Sequence, residues 1–215
     1  EPTRPNRDPL LSFARKAARK VISRIKNRPV RPRAIAITYE QWIAANEPDA
    51  AELELQRKTA SLLPARPLIS LITPVWNPPL ALLRETIESV TASTYDNWEL
   101  CLVNGASTDP EVRHILDEAA AGDSRIKVRH LDENKGISGN SNEAIAMAAG
   151  DFVAFLDHTD ILAPNALWEV AVLINRNPAV DCVYSDHDLL SESGRRYEPL
   201  FKPEWSPEML LSANF

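Results

Sequence analysis

Residues Gly150 to Asp160 read GDFVAFLDHTD, and this stretch decides the fold. Phe152 to Leu156 is an unbroken apolar run that stops at Asp157. Such a run, between a helix-stopping glycine and a charged turn, reads as a buried strand of a parallel sheet. Asp157 and Asp160 then fall at its carboxyl end. In open α/β sheets, ligands bind at that end, where the strand order reverses. Carboxylates placed there hold a hard cation, sugar hydroxyls or both. The same two residues also suit plain capping of a helix starting near Pro164, and spacing alone does not separate the two readings.

Outward from this stretch, the pattern from Pro67 alternates strands and helices. Leu68 to Val75 is the first strand, and Asn77-Pro78-Pro79 starts a helix running to about Ser93. Trp98 to Val103 is the second strand, followed by a helix that Asp109-Pro110 starts and Gly122 stops. Ile126 to Leu131 is the third strand, Ser138 to Ala149 a helix with Gly150 at its end, and Phe152 to Leu156 the fourth strand. Pro164 to Asn175 is a helix and Val180 to Tyr184 a fifth strand; after Ser185 the pattern dissolves into a charged, Pro-containing tail. Repeated strand–helix units with short connections predict an α/β fold, a mainly parallel sheet with helices on both faces.

The segments before Pro67 read differently, as an N-terminal helical arm. Residues 1–33 form a basic amphipathic helix and linker. Asp8-Pro9 caps and starts a helix whose apolar stripe is Leu10, Ala14, Ala17, Val21, Ile22 and Ile25. Arg15, Lys16, Arg19, Lys20 and Lys26 cover the other side. Residues 8–28 therefore suit a solvated tail or packing on a neighbouring domain ahead of peripheral contact with an anionic membrane. Asn27 to Arg33 is a Pro-broken linker. Residues 34–66 form a helical leader, with Thr38 and Gln41 as a capping box and a second helix restarting at Pro48.

Composition narrows the function. The chain has 215 residues, 44% hydrophobic and 25% charged, enough for one α/β domain with extra segments. Residues 1–33 carry eleven Lys/Arg against two acids, net +9, and the remainder carries 13 against 28, net −15. An acidic body argues against nucleic acid as a partner. Cys101 and Cys182 each sit in an apolar run and read as buried hydrophobes, which points to a reducing, cytoplasmic setting. No apolar stretch approaches the roughly 20 residues of a membrane span, and no signal peptide is visible. The chain starts at Glu1 and stops at Phe215 in mid-pattern, so a fragment of a longer protein is expected.

The common nucleotide motifs are missing. TPVWNPP follows the first strand where a dinucleotide fold needs glycines. No GxxxxGK[ST], no zinc-spaced His/Cys cluster and no GxSxG elbow occurs. Lys135 to Asn140, KGISGN, opens a helix with two glycines, a weak phosphate signal by itself. A sheet that binds a nucleotide through loop side chains and a carboxylate-held metal remains.

The blocks PLISLITPVWNPP, YDNWELCLVNGASTDP, NKGISGNSNEAIAMAAGDFVAFLDHTDIL, VYSDHDLL and FKPEWSP resemble those of bacterial family 2 glycosyltransferases. The resemblance covers residues 67–215, read as a donor-binding domain without its acceptor half. YEQWIAANEP resembles the leader of O-antigen and polysaccharide-building members. It implies a GT-A fold, a nucleotide-sugar donor, a divalent cation (Mg²⁺ or Mn²⁺), and inverting sugar transfer to a glycan or lipid-linked acceptor in cell-surface polysaccharide synthesis, at the inner face of the bacterial membrane.

Carried over by position, the first-strand loop with Thr73, Val75, Trp76 and Asn77 borders the base and ribose. Trp76 equally suits a core or lid tryptophan. Asn104, Gly105 and Ser107, in the loop after the second strand, hold base and ribose. Asn134, Gly136 and Asn142 match the block beside the nucleotide. Asp160 is the expected main metal ligand, and Asp157 is expected to support the ribose or the metal. The catalytic base is expected beyond Phe215.

Three departures stand out. Members commonly carry two adjacent aspartates where this chain has Asn104-Gly105. They commonly carry Asp at the place of Thr159, which removes a charge from a hard-cation site. The acceptor half with its general base is absent from the resemblance. A degenerate GT-A module with a binding or structural role is therefore the alternative. A sugar-nucleotide pyrophosphorylase would need a glycine-rich loop after the first strand, which TPVWNPP does not supply.

Overall fold

The first strand, β1 (Ile69–Val75), is buried along its whole length because parallel neighbours and helices enclose it. The computed structural model describes residues 37–206, and the basic segment 8–28 lies outside them. β2 (Trp98–Asn104), β3 (Ile126–His130) and β4 (Phe152–Phe155) complete a four-stranded sheet in the order β3-β2-β1-β4. Every pairing in it is parallel. The connecting helices are α3 (Leu80–Thr91), α4 (Pro110–Gly122) and α5 (Gly136–Ile145), and α6 (Ala166–Arg176) follows β4.

The chain runs outward from β1 to β2 to β3, then returns past them to β4. Right-handed crossovers put helices on one face for the outward steps and on the other face for the return. Accordingly α3, α4 and α6 cover one face through Leu83, Ile87, Val90, Val112, Ile115, Leu116, Leu167 and Ala171. Alternate strand residues Ile69, Leu71, Trp98, Leu100 and Leu102 meet them. On the other face Ile72, Cys101 and Val103 meet Ala144 of α5. The α/β expectation with helices on both faces is borne out. The order reverses between β1 and β4, so a ligand crevice belongs at their carboxyl ends.

At the opposite edge a polar network is buried. Glu99 accepts from Ser70 Oγ at 2.7 Å, Ala149 N at 2.6 Å and Lys127 Nζ at 2.6 Å. Ser70 Oγ in turn accepts from Gly150 N at 2.9 Å. The helix expected to run to Ala149 ends at Ile145, so Gly150 does not stop it. Gly150 serves close approach instead, since a Cβ there would lie 2.5 Å from Ser70 Oγ and 2.6 Å from Leu68 O.

The contacts divide the chain into two compact units, Glu1–Asn46 and Glu47–Phe215. In the first, α1 (Tyr39–Asn46) starts with the expected capping box: Gln41 N donates to Thr38 Oγ1 at 3.3 Å, and Thr38 N to Gln41 Oε1 at 3.0 Å. In the second, α2 (Ala50–Thr59) begins with another, made by Asp49 and Glu52. Its Gln56 accepts from Thr94 Oγ1 at 2.9 Å, and Ala60 just beyond joins the core. Among the described residues, no helix is long and apolar enough to cross a membrane.

Three expectations fail beyond β4. Val180 to Tyr184 forms no strand, and Cys182 is exposed rather than buried. An apolar run becomes a strand only beside a partner, and among the described residues none lies along this one. The tail that reads as unstructured forms an antiparallel hairpin, β5 (His187–Leu190) with β6 (Arg196–Leu200). Arg196 holds it by donating to both oxygens of Glu47 at 2.6 and 2.7 Å, and to Asp188.

Candidate functional site

The loops after β1 and β2 are stitched into one surface. Val75 and Asn104 are register partners, and Gly105 N extends the ladder to Val75 O at 2.8 Å. Asn104 Oδ1 accepts from Ser107 N at 2.9 Å, closing the tight turn. Asn77 sits at φ 47°, a left-handed position that asparagine tolerates. There its N–H donates to Ser107 Oγ at 2.9 Å, and its Oδ1 accepts from Thr108 N at 2.8 Å and Thr108 Oγ1 at 3.2 Å. Thr73 and Val75 are fully buried, and Trp76 is 51% exposed. The surface this loop offers a ligand is Trp76, Asn77 and backbone.

Asn104 has a second partner that the sequence reading misses. Its Nδ2 lies 3.2 Å from His130 Nδ1, and His130 Nε2 lies 2.8 Å from Asp117 Oδ1. An amide nitrogen only donates, so Nδ1 is the acceptor and Nε2 carries the proton toward Asp117. The only signal for His130 is its register opposite Asn104, which no local motif marks.

The third wall is the turn into α5. Asn134 Oδ1 accepts from Gly136 N at 2.9 Å and from Asn140 Nδ2 at 2.9 Å. Gly136 takes φ +72°, a conformation few other residues adopt. Asn142 is exposed on α5, a turn beyond this cluster. His130, Leu131, Asp132, Glu133 and Lys135 line a hollow of about 420 Å³, within the usual size range of small-molecule sites.

The fourth element is the turn after β4. Leu156 N donates to Ile72 O at 3.1 Å, and Asp160 N to Asp157 O at 3.1 Å. Asp157 and Asp160 therefore leave the sheet beside β1 at the reversal point, with Thr159 between them. Both carboxylates reach the surface. Burial of part of the Asp160 carboxyl raises its pKa, and the Asp157 charge raises it further, while His187 and His158 pull it down. His158 Nδ1 donates to Pro74 O at 2.9 Å, pinning this turn to β1.

Two mutually repelling carboxylates suit a hard cation. Among the described residues, no group of three or more His, Cys, Asp or Glu could hold a metal. The pair fits a cation shared with ligand oxygens rather than a closed protein cage. Asp186 and Asp188 are engaged elsewhere: Asp186 accepts from Lys202 N at 2.7 Å, and Asp188 from Arg196.

The family model described as glycosyl transferase family 2 matches residues 70–209. A protein of Sinorhizobium fredii called uncharacterized protein y4gI is 46% identical over 149 residues, which is 69% of this chain and 16% of that protein. The O-antigen biosynthesis protein RfbC of Myxococcus xanthus is 41% identical over 187 residues, 87% of this chain and 14% of that protein. An Escherichia coli protein, UDP-Glc:alpha-D-GlcNAc-diphosphoundecaprenol beta-1,3-glucosyltransferase WfgD, is 32% identical over 127 residues, 59% of this chain and 48% of that protein. The chain thus matches only 16% and 14% of the length of the first two relatives. It belongs to glycosyl transferase family 2.

Proposed function

We propose that this chain is the donor-binding part of an inverting glycosyltransferase acting in cell-surface polysaccharide synthesis. One observation carries the reading. The loops bearing Asn77, Asn104 and Ser107 are stitched together at the same sheet edge from which Asp157 and Asp160 emerge, at the β1–β4 reversal. The names of the Myxococcus and Escherichia relatives support a nucleotide-sugar donor and a glycan or lipid-linked acceptor.

In this reading Trp76 and Asn77 border the base and ribose, with the Asn104–Ser107 loop and the Asn134–Gly136 turn as further walls and Asn142 nearby. Asp157 supports the ribose, and Asp160 is the main protein ligand of Mg²⁺ or Mn²⁺. The cation, when bound, supplies Lewis-acid neutralisation of the departing nucleoside diphosphate. Transfer forms a bond from an acceptor oxygen to the anomeric carbon as the bond to phosphate breaks. The acceptor proton needs a base within hydrogen-bond reach. The family resemblance implies that this base belongs to chain beyond Phe215 and gives no such role to Asp186 or Asp188, which accept from Lys202 N and Arg196. The charge pattern of residues 8–28 favours work at the inner face of the membrane.

A second reading has its own observations. Gly105 offers no side chain and Thr159 no charge, as a degenerate module would have. Calorimetry of UDP, dTDP and GDP with and without Mn²⁺ separates the two. Metal-dependent binding of one nucleotide is expected. No binding even at millimolar Mn²⁺ leaves the degenerate module.

A further inference from the structure

The space beside the Gly105 Cα is already taken. A Cβ built there would lie 2.3 Å from Asn140 Nδ2, 3.0 Å from Asn140 Cγ and 3.1 Å from Asn134 Oδ1. Asn140 is a polar residue of α5 with only 2% exposure, and its carboxamide is engaged at both ends. Nδ2 donates to Asn134 Oδ1 at 2.9 Å, and Oδ1 accepts from Lys135 N at 3.2 Å. Asn134 Oδ1 also receives Gly136 N, so the two linked carboxamides order three consecutive residues of the turn.

We infer that Asn140 is a positioning residue of the donor site, occupying the place of a residue-105 side chain and locking the Asn134–Gly136 turn against the β2 loop. The inference rests on the donor-binding reading above. Where family members commonly carry a carboxylate, this chain fills the space beside the Gly105 Cα with the buried amide of Asn140 from α5. The arrangement couples two positions 35 residues apart, because a side chain at 105 and the carboxamide at 140 exclude each other. A carboxylate cannot replace the amide, since it has no proton to give Asn134 Oδ1 at neutral pH.

The test measures thermal midpoint and UDP affinity in Mn²⁺ on the 215-residue chain. The variants are Gly105→Ser, Asn140→Ala, the double substitution and Asn140→Asp. Each of the first two single variants should lower the midpoint and weaken UDP about tenfold; the double should regain most of both losses, because contacting sites are non-additive. Asn140→Asp keeps the shape, and should still weaken UDP about tenfold through the lost donor. An unchanged midpoint for Gly105→Ser, additive losses in the double, or wild-type UDP affinity in Asn140→Asp overturns the inference. If the parent chain binds none of UDP, GDP and dTDP, the donor reading falls instead. The midpoints alone then decide whether Asn140 holds the place beside Gly105.

Discussion

His130 Nδ1 accepts from Asn104 Nδ2 at 3.2 Å, so a histidine on β3 fixes the amide that ends β2. The same amide holds the Gly105–Ser107 turn through Ser107 N. Replacing His130 by Phe keeps a ring but leaves the nearly buried Asn104 Nδ2 without its acceptor. Such a loss costs about 1–3 kcal/mol. Urea unfolding should show that decrease, and UDP affinity should fall with it, because the loop loses its anchor. Unfolding unchanged within about 0.3 kcal/mol, the usual scatter of independent sites, would mean that His130 does not orient Asn104.

Glu99 makes stability depend on pH. Burial alone would raise its pKa, but hydrogen bonds from Lys127, Ala149 N and Ser70 outweigh burial and hold it below the ordinary 4.5. A carboxylate with a depressed folded pKa stabilises the fold above its unfolded pKa. That contribution disappears as pH falls below 4.5 through the lower folded value. Glu99→Gln should therefore destabilise at pH 7 by about 1–3 kcal/mol. The difference from the parent chain should shrink in denaturation curves recorded at progressively lower pH. A pH-independent difference would assign Glu99 a packing role only.

Gly150 and Gly122 form a matched pair of tests. A Cβ at Gly150 meets Leu68 O at 2.6 Å and Ser70 N at 2.9 Å, backbone atoms that cannot swing aside. Overpacking of this kind costs about 1–3 kcal/mol. A Cβ at Gly122 meets nothing within 4 Å, and at a compatible site Gly→Ala gains about 0.4–1 kcal/mol. Gly150→Ala should therefore lower the thermal midpoint while Gly122→Ala leaves it level or raised. Equal midpoints for the two variants would show that β1 and β4 do not approach as closely as the backbone indicates.

The alternation from Leu68 to Phe155 is legible because β1, β2 and β4 are mostly apolar runs, β3 alternates apolar with charged residues, and some helices carry a start signal such as Asp109-Pro110. The reversal of strand order is not, since nothing in Phe152–Phe155 says which neighbour it joins. His130 and Asn140 act through contacts made only once three strands and a helix have assembled. They carry no local pattern to read. Val180–Tyr184 shows the converse: its composition suits a strand, but pairing needs a partner. The β5–β6 hairpin hides for a third reason, because its hold on Glu47 is a charge contact 149 residues away in sequence.

Asp160 should respond to substitution in two opposite ways. Burial of its carboxyl raises its pKa, and the Asp157 charge adds to the effect, so ionisation is a cost to the ligand-free fold. That cost applies above the raised folded pKa and disappears as the group is protonated. Asp160→Asn removes it, and the thermal midpoint without ligand should not fall. Cation binding needs the charge, so the metal-dependent part of UDP affinity should vanish in the same variant. Mg²⁺ and Mn²⁺ complete their shells with phosphate and water, which lets one or two carboxylates suffice once a diphosphate is present. Thr159→Asp adds a third carboxylate and should strengthen Mn²⁺ binding. Because coupling between two ligands is reciprocal, the factor by which Mn²⁺ tightens UDP must equal the factor by which UDP tightens Mn²⁺. Paired titrations by calorimetry measure both factors. If Asp160→Asn binds UDP as tightly in Mn²⁺ as the parent chain does, Asp160 is not the metal ligand, and Asp157 has to carry the cation alone.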